Sequence, residues 1–511
     1  MFQIDRTRII SVGRAVVVGL LVGFVVSGFR FGVERSLVMW KRLYSLAHQN
    51  VIYLIVIASL LVLITIVIGM IIKPDPNVNG SGIPQVEGQL AGRLDVNAFS
   101  VLWRKFTAGI LAIGSGAMLG REGPSIQLGA AVGQLYAQKR RFTEEQRRLM
   151  IATGSAAGLS AAFAAPVAGA MFVLEEIYRS FSMLVWLGTL TGAVVADIVS
   201  TKIFGLKPVL HIQMHSLPLG MYWMLPVLGI ILGILGYAYQ KVTLNASNFY
   251  KPFSFIPRQF HFGIVAIGII LIGYFIPDML GGGNNLILNL GHKQITPTLF
   301  VLLGIFLIRF SFSAISFGSG VPGGIFLPIL SLGAVIGGLV SVTASTLNIW
   351  NSIYFNDLAV LGMVGYFAAI SKAPFTAIIL IAEMVGSLEH LVPLAIVVLI
   401  SYLTNDVLGG QPIYESLLEK IVQPLKIEDS SGKLTEARVR VMPDGGMDQK
   451  EIREVSWPKA TVVSRVERGS QEIIARGDVV MQPGDELVLF VDTANYANVL
   501  AKIKQISKGD N

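Results

Sequence analysis

The chain has 511 residues, of which 53% are hydrophobic and 14% are charged, and its mean hydropathy is +0.65. Soluble domains are about one quarter charged, so this composition excludes an ordinary soluble domain and indicates an integral membrane protein. The lack of cysteine excludes disulfides and thiolate metal sites. The basic residues behind the net charge of +8 cluster in short loops such as 139–148, which is typical of cytoplasmic loops rather than of a nucleic-acid-binding surface.

Apolar segments follow one another along most of the chain. Residues 51–72 carry no charge and are long enough to cross a bilayer of about 30 Å as a helix. Arg14 interrupts the first apolar run and no A-x-A-like site follows it, so we interpret the N-terminus as retained. The other apolar runs lie near 11–29, 183–204, 218–238, 262–281, 297–316 and 358–409.

Three breaks rich in glycine and proline interrupt this pattern, and each leads into an apolar helix. They are GSGIP (80–84), GREGP (120–124) and GSGVPGGIFLP (318–328). Proline suits the first turn of a helix, and glycine lets backbone N–H groups point into open space. Those N–H groups have no intrahelical partner and carry about half a positive charge. Several such ends meeting at membrane depth would bind an anion without a fixed cation.

Glu122 lies inside the second break. A carboxylate at the bilayer centre costs about 2.5–3.5 kcal/mol, and a helix N-terminus recovers about 0.3–1 kcal/mol, or up to about 2 when partly buried. We therefore expect Glu122 to occupy the place of a permeant anion, and to become protonated and swing away when an anion enters. The alternative is a structural ion pair with Arg121, which is disfavoured because adjacent residues seldom face each other on a helix.

Two parts of the apolar region share a pattern. The matched stretches are 120–133 with 324–337, both fitting G-x-x-x-P-x-x-x-L-G-A-x-x-G, and 164–176 with 372–384. Glu175 then falls opposite Glu383. Coincidence is the alternative, since small residues recur in any membrane protein. A repeat over roughly 10–205 and 215–420 predicts a transporter-like fold with broken or re-entrant helices and a site near the midplane.

Motifs of other classes find little support. The G-x-G-x-x-G match at 318–323 follows an apolar helix rather than a strand, and no ribose-binding acid stands about twenty residues on. Asn79 begins a formal glycosylation sequon inside a glycine-rich break. The six histidines are scattered without H-E-x-x-H, and G-x-S-x-G is absent. We therefore predict no metal, no cofactor and no enzymatic activity.

The composition changes abruptly near Glu419. Residues 426–436 are interpreted as a polar linker between a membrane domain (1–425) and a small cytoplasmic α+β domain (437–511). The strand-like runs are 437–443, 460–466, 478–482 and 486–491, and a helix is predicted over 494–506. The triplet 476–478 (RGD) is better explained by a turn than by adhesion.

The breaks and their order resemble the CLC family of chloride channels and chloride/proton antiporters. The match covers about residues 10–420 and rests on GSGIPQVEG, GREGP, GSGVPGGIFLP and QPIYESLL. The resemblance implies the CLC fold, an all-α polytopic membrane protein with an inverted-topology repeat. It also implies a homodimer whose subunits each hold a pathway, located for the prokaryotic type in the bacterial inner membrane with the C-terminal domain in the cytoplasm.

The resemblance also implies roles for residues around a central chloride. Ser81 offers its hydroxyl to the ion, and serine rather than proline at this position favours chloride over nitrate. The phenol of Tyr414 closes the central site from the inside. Ile325 and Phe326 donate backbone N–H groups to the same ion.

Two glutamates carry proton coupling by the same resemblance. Glu122 is the gating glutamate, at the helix end where Arg121 and Gly123 line the outer anion position. Glu176 matches the inner proton-transfer glutamate, a position at which channels of the family commonly have a neutral residue. Its presence favours a chloride/proton antiporter over the alternative, a passive voltage- or pH-gated chloride channel.

Further ionisable positions of the family are filled by Glu87 and Lys105. The alternative for Glu175 and Glu176 is a solvated helix end beside Arg179. An intramembrane enzyme is disfavoured by the missing catalytic motifs. A fluoride-specific relative is disfavoured because Arg121 and Tyr414 keep the chloride-type pattern.

The tail departs from the best-known eukaryotic members, which carry paired CBS domains. Its segment VVSRVERGSQEIIARGDVVMQPGDELVLF resembles the C-terminal subdomain of RCK modules, the TrkA-C type, over about 435–507. The resemblance implies regulation by an unidentified ligand, or a dimer contact. A passive folded tail is the alternative.

Overall fold

A computed structural model describes residues 6–179, 182–206, 208–292, 294–387, 391–422, 434–458, 461–469, 471–492 and 496–508. The chain divides into two compact units. One comprises Met1–Tyr178 and Leu184–Leu418, and the other Arg179–Met183 and Glu419–Asn511. Residues 426–433 of the predicted linker lie outside the described residues, and 434–436 belong to the first strand of the second unit.

The first unit is helical, and its first half contains eight α-helices among the described residues. They are α1 (Arg6–Gln49), α2 (Ile52–Ile72), α3 (Ile83–Leu90), α4 (Ala98–Gly114), α5 (Glu122–Lys139), α6 (Glu144–Phe163), α7 (Pro166–Phe172) and α8 (Met183–Phe204). A π-helical segment, Val173–Tyr178, continues from α7. The first helix is longer than the predicted apolar run at 11–29, because polar residues extend it at both ends.

The second half repeats this order of long and short helices. They are α9 (Met224–Leu244), α10 (Phe262–Phe275), α11 (Asn284–Gly291), α12 (Leu299–Gly318), α13 (Phe326–Thr346), α14 (Phe355–Ser371), α15 (Pro374–Val385), α16 (Leu391–Val407) and α17 (Ile413–Ile421). Eight helices of the described chain are long and apolar enough to cross a membrane. By contrast, α3, α7 and α11 are too short to do so, which agrees with the predicted broken or re-entrant helices, although only α3 follows one of the three named breaks.

Reciprocal contacts relate the two halves by a pseudo-two-fold axis. The amide of Gly120 donates to the carbonyl of Gly324 (2.6 Å), and the amide of Gly324 donates to the carbonyl of Gly120 (2.7 Å). Contacts that are exchanged in this way are the signature of a two-fold relation. Since Gly120 and Gly324 are aligned in the predicted repeat, the correspondence read from the sequence is present in the fold.

A second exchange joins the short helices α7 and α15. The carboxylate of Glu175 accepts hydrogen bonds from the amides that begin α15, and the carboxylate of Glu383 accepts from those that begin α7. The donor amides are those of Phe375 (3.1 Å) and Thr376 (2.7 Å) to Glu175, and of Val167 (3.1 Å) and Ala168 (2.8 Å) to Glu383. Each glutamate therefore caps a helix of the other repeat, where a carboxylate is stabilised by the exposed N–H groups.

Two fully buried cations occupy corresponding places in the repeats. Lys105 lies on α4 and Arg309 on α12. Each donates to backbone carbonyls of a glycine turn that precedes a short helix, α3 in the first repeat and α11 in the second. The accepting carbonyls are those of Val78 and Gly80 for Lys105, and of Met279, Gly281 and Gly282 for Arg309. The long, buried side chain thus satisfies carbonyl groups that an irregular turn leaves without ladder partners.

The second unit contains a four-stranded antiparallel sheet and a closing helix. The strands are β1 (Leu434–Arg440), β2 (Thr461–Arg468), β3 (Gln471–Ile474) and β4 (Glu486–Asp492), in the order β1-β4-β2-β3, and the helix is α18 (Tyr496–Lys508). Alternate residues of the strands, such as Val439, Val466 and Leu489, form the core with Ile503. The predicted small α+β domain is therefore confirmed as a fold.

One predicted strand of this unit is wrong. Residues 478–482 form no strand, and only Val480 makes an isolated bridge, with Glu451. The unpredicted strand β3 instead forms a hairpin with β2 across a turn at Gly469, whose φ of +60° suits glycine. The 476–478 triplet lies in the connection between β3 and β4.

The reciprocal caps give a stability prediction. Glu383→Ala leaves two amides at the start of α7 without an acceptor, which should lower the stability by about 1–3 kcal/mol. Glu383→Gln keeps one acceptor oxygen and should lose less, and the pseudo-symmetry predicts a similar loss for Glu175→Ala. The measurement is the thermal unfolding midpoint of the purified protein in detergent. Unchanged midpoints for both alanine variants would contradict the capping role.

Candidate functional site

The three breaks identified in the sequence meet at one place in the membrane unit. Gly82, with φ +98°, is the N-cap of α3, and Gly123 lies in the first turn of α5. A Cβ added to Gly123 would collide with Ser81 Oγ, and one added to Gly324 would lie 3.5 Å from it. Because Gly123 has no Cβ, Ser81 can lie against the start of α5, and it also lies close to Gly324 in the turn before α13.

Backbone hydrogen bonds join the first break to the third. The amide of Gly80 donates to the carbonyl of Gly320 (3.2 Å), and the amide of Gly323 donates to the carbonyl of Gly80 (3.0 Å). The carbonyl of Gly80 also accepts from Lys105 Nζ (2.8 Å). Lys105 therefore holds the turn that carries Ser81, rather than lining the site itself.

The residues assigned to the ion by sequence come together here with several polar atoms unsatisfied. Ser81 Oγ and Tyr414 Oη are buried and make no hydrogen bond to any described residue. The amides of Ile325 and Phe326, at the start of α13, likewise have no acceptor among the described residues. Buried donors without partners are rare in native proteins, so this convergence is suited to an anion.

Glu122 is the first residue of α5 and is fully buried. Its carboxylate faces the backbone amides of Glu122 itself and of Leu327, in the first turn of α13. Neither carboxylate oxygen has a hydrogen bond of good geometry with a described residue. A Cβ on Gly120 would collide with Oε2, so glycine there makes room for the carboxyl group. The side chain thus lies at the N-termini of two helices, one from each repeat.

Arg121 does not pair with Glu122. Its Nη1 lies 2.6 Å from Oε1 of Glu34, on α1. The alternative of an Arg121–Glu122 ion pair is therefore not supported. Glu34 was missed by the sequence reasoning, and its signal was a carboxylate inside an apolar helix, four residues after Arg30.

A cavity of about 340 Å³ adjoins this ion pair. We call it the Arg121 cavity. Leu327 belongs to its lining, and the amide of the same residue faces the Glu122 carboxylate. The cavity therefore reaches the residues that surround Glu122. The lining also includes Glu34, Lys41, Arg121, Gly283 and Asn285.

Aromatic rings enclose the other end of the site. Phe326 packs against Phe163 (5.3 Å between ring centroids), Phe172 (5.9 Å) and Phe367 (4.5 Å). Phe172 in turn meets Tyr414 edge to face at 6.1 Å. These rings come from five different helices, so no periodicity in the sequence could have grouped them. Phe172 packs against the ring of Tyr414, and the rings together keep the site apolar on that side.

The remaining predicted residues lie nearby on short elements. Glu176 is buried in the π-helical segment Val173–Tyr178, and it is one of the charged groups near Tyr414. Glu87 is buried in α3. Glu175 caps α15 and Glu176 is buried, so the alternative of a solvated helix end holds for neither. Single π-helical turns are frequent at functional sites in helical proteins.

The fold and this site define a class of protein. Secondary transporters commonly have inverted repeats with broken helices. The N-termini of those helices meet in an apolar interior and present N–H donors that have no intrahelical partner. Comparison with known proteins narrows the class to a family. Residues 64–406 match the family described as voltage gated chloride channel, and residues 437–504 match the TrkA-C domain.

Individual relatives agree with this match. The H(+)/Cl(-) exchange transporter ClcA of Salmonella schwarzengrund (strain CVM19633) is 32% identical over 449 residues, covering 84% of this chain and 93% of the relative. A slow cyanobacterial Cl-/H+ antiporter of known structure is 30% identical, with a TM-score of 0.76, over 81% of this chain and 98% of that one. A eukaryotic CLC transporter, 20% identical, shares the fold with a TM-score of 0.67 over 87% of this chain and 79% of its own.

The chain therefore belongs to the CLC family of voltage gated chloride channels and is an integral multi-pass membrane protein. The CLC fold and the TrkA-C resemblance predicted from the sequence are both confirmed.

Proposed function

We propose that this protein is a secondary active chloride/proton antiporter in which Glu122 is the gating glutamate. The observation that carries the proposal is the meeting of Ser81, Tyr414 and Glu122, all buried and with unsatisfied oxygens, at converging helix N-termini. Relatives that match most of the chain are named as chloride/proton exchangers, which supports chloride and protons as the two transported ions.

The anion is held by dipoles rather than by a fixed cation. The hydroxyls of Ser81 and Tyr414 and the amides of Ile325 and Phe326 donate to chloride in the central position. Each contributes a partial charge in an apolar surrounding, where hydrogen bonds to an ion are strong. A lysine in the same position would hold the halide too tightly for release, whereas partial charges permit both binding and exit.

Glu122 alternates with the anion. When ionised, its carboxylate uses the amides at the starts of α5 and α13 and excludes chloride from that position. When chloride arrives beside it, like-charge repulsion favours the protonated form, which no longer needs those amides and leaves. The proton taken up in this step is released on the opposite side of the membrane later in the cycle, so that anion and proton movements are linked.

Glu176 is proposed as the group that passes the proton on the Tyr414 side. It is a buried ionisable residue inside the membrane unit, and such residues are expensive and commonly functional. Glu87 is proposed to support its charge, and Lys105 to hold the turn of Ser81. Transport rather than catalysis is the activity proposed for the whole unit.

The assembly and location are proposed on family grounds. We infer a homodimer in the bacterial inner membrane, with the TrkA-C domain in the cytoplasm. Regulation of transport by an unidentified ligand of that domain stays a prediction.

Transport and coupling are tested together in liposomes. An imposed chloride gradient should drive protons uphill, and this movement should persist when the membrane voltage is clamped at zero with valinomycin and potassium. The pH outside the liposomes is the readout. Chloride flux without proton movement would mean a passive channel and would overturn the antiport proposal.

Glu122→Gln removes the proton site and leaves a neutral side chain of the same size. Chloride exchange should continue while proton movement falls to the background of empty liposomes. Glu144→Gln, which neutralises a half-exposed glutamate at the start of α6, is the matched control and should keep coupling. Proton pumping by Glu122→Gln would refute the gating assignment.

Glu176→Gln should also abolish proton movement, because the relay on the Tyr414 side is cut. Chloride exchange should be retained, since Glu176 donates no group to the ion. The same gradient assay measures both fluxes. Unchanged coupling would show that Glu176 has only a structural role.

A further inference from the structure

The Arg121 cavity lies at a place that corresponds by symmetry to the anion site. The glycine turn before α11 is the counterpart of the turn before α3, so Gly282 occupies the position of Ser81. A Cβ on Gly282 would meet the side chain of Leu327, the counterpart of Gly123. Thus α11 begins at the Arg121 cavity much as α3 begins at the central site, with Arg309 holding its turn.

Arg121 is the more deeply buried of the two cations, Lys41 and Arg121, in the described lining of this cavity. Only 7% of the residue is exposed, and its Nε makes no hydrogen bond to any described residue. It is the N-cap of α5 and directly precedes Glu122. An anion approaching Glu122 from this cavity therefore passes the Arg121 guanidinium in its lining.

That guanidinium already carries a counter-charge. Glu34 accepts from Arg121 Nη1 at 2.6 Å and from Arg30 Nε at 3.0 Å, and its side chain is 41% exposed. Besides Glu122, the carboxylate of Asp278 bears on the cavity, because it pairs at 2.7 Å with Lys41 of the lining. Glu34 is thus the acid in direct contact with the cation next to the gating residue.

We propose that Glu34 is a resident counter-anion that competes with entering halide for Arg121. The competition raises the chloride concentration needed to load the pathway from this side and leaves loading from the other side unaffected. The expected effect on chloride KM rests on the proposed chloride transport. The neutralisation of Arg121 by Glu34 rests on their ion pair alone.

The kinetic test compares two charge-neutralising variants. Glu34→Gln should lower the KM for chloride by about three- to tenfold on one side of the membrane. The effect is no larger because Glu34 is partly exposed and solvent screens its charge. Asp278→Asn removes the same charge near the same cavity without freeing Arg121, and should change that KM by less than about twofold. An unchanged KM for Glu34→Gln, an equal shift on both sides, or an equal shift for Asp278→Asn would overturn the proposal.

A labelling test needs no transport. The chain has no cysteine, so Asn285→Cys places a single thiol at an exposed position lining the cavity. Membrane-impermeant anionic and cationic methanethiosulfonate reagents then report the local potential through the ratio of their reaction rates. Adding Glu34→Gln should raise the anionic-to-cationic ratio about three- to tenfold, and adding Asp278→Asn should raise it less.

The two assays separate the possible failures. If the wild-type protein moved no chloride, the transport proposal would fail, and the labelling ratio would still test Glu34. If transport were normal and neither the ratio nor the KM responded to Glu34→Gln, the counter-anion proposal alone would be overturned. The labelled side of the vesicle also identifies the face to which the cavity opens.

Discussion

The first N–H groups of a helix need an acceptor, and the apolar interior of this membrane unit offers few. Helices α3, α5 and α13 begin there at glycine and proline breaks, so their ends gather positive partial charge in one small volume. Two solutions are available to the fold. A carboxylate from the chain can fill the volume, as Glu122 does, or a halide can enter. The proposed exchange of one for the other follows from this single constraint.

The pseudo-two-fold arrangement stabilises such breaks, because each repeat supplies hydrogen-bond partners for backbone groups that lack them in the other repeat. Gly120 and Gly324 exchange backbone hydrogen bonds. Glu175 caps α15 of the second repeat, and Glu383 caps α7 of the first. Lys105 and Arg309 donate to the carbonyls of equivalent turns. Departures from the symmetry are where the chemistry lies. Ser81 stands where the second repeat has a glycine, and Glu122 stands opposite Phe326. Among the described residues, the second repeat therefore offers no side-chain hydroxyl at the place of Ser81.

The helix breaks, the repeat and most candidate site residues could be predicted from short motifs. Glycine, proline and charged residues are found in only a few structural situations inside a membrane. The alignment of Glu175 with Glu383 was visible in the sequence, although the exchange of caps was not, since it depends on how α7 and α15 meet. Glu34 and the rings around Phe326 were missed because their partners are distant in the chain. Strand β3 could not be predicted because its short, polar-flanked sequence carries no alternation, whereas 478–482 has the apolar content of a strand without forming one.

In the proposed mechanism a halide and the Glu122 carboxylate use the same helix ends in turn. Anomalous diffraction from bromide-soaked crystals tests this most directly. In the wild-type protein we predict a bromide peak near Ser81 Oγ and Tyr414 Oη, and in the Glu122→Gln variant a second peak where the carboxylate lay. A variant with no added peak there, or bromide found only away from these helix ends, would contradict it.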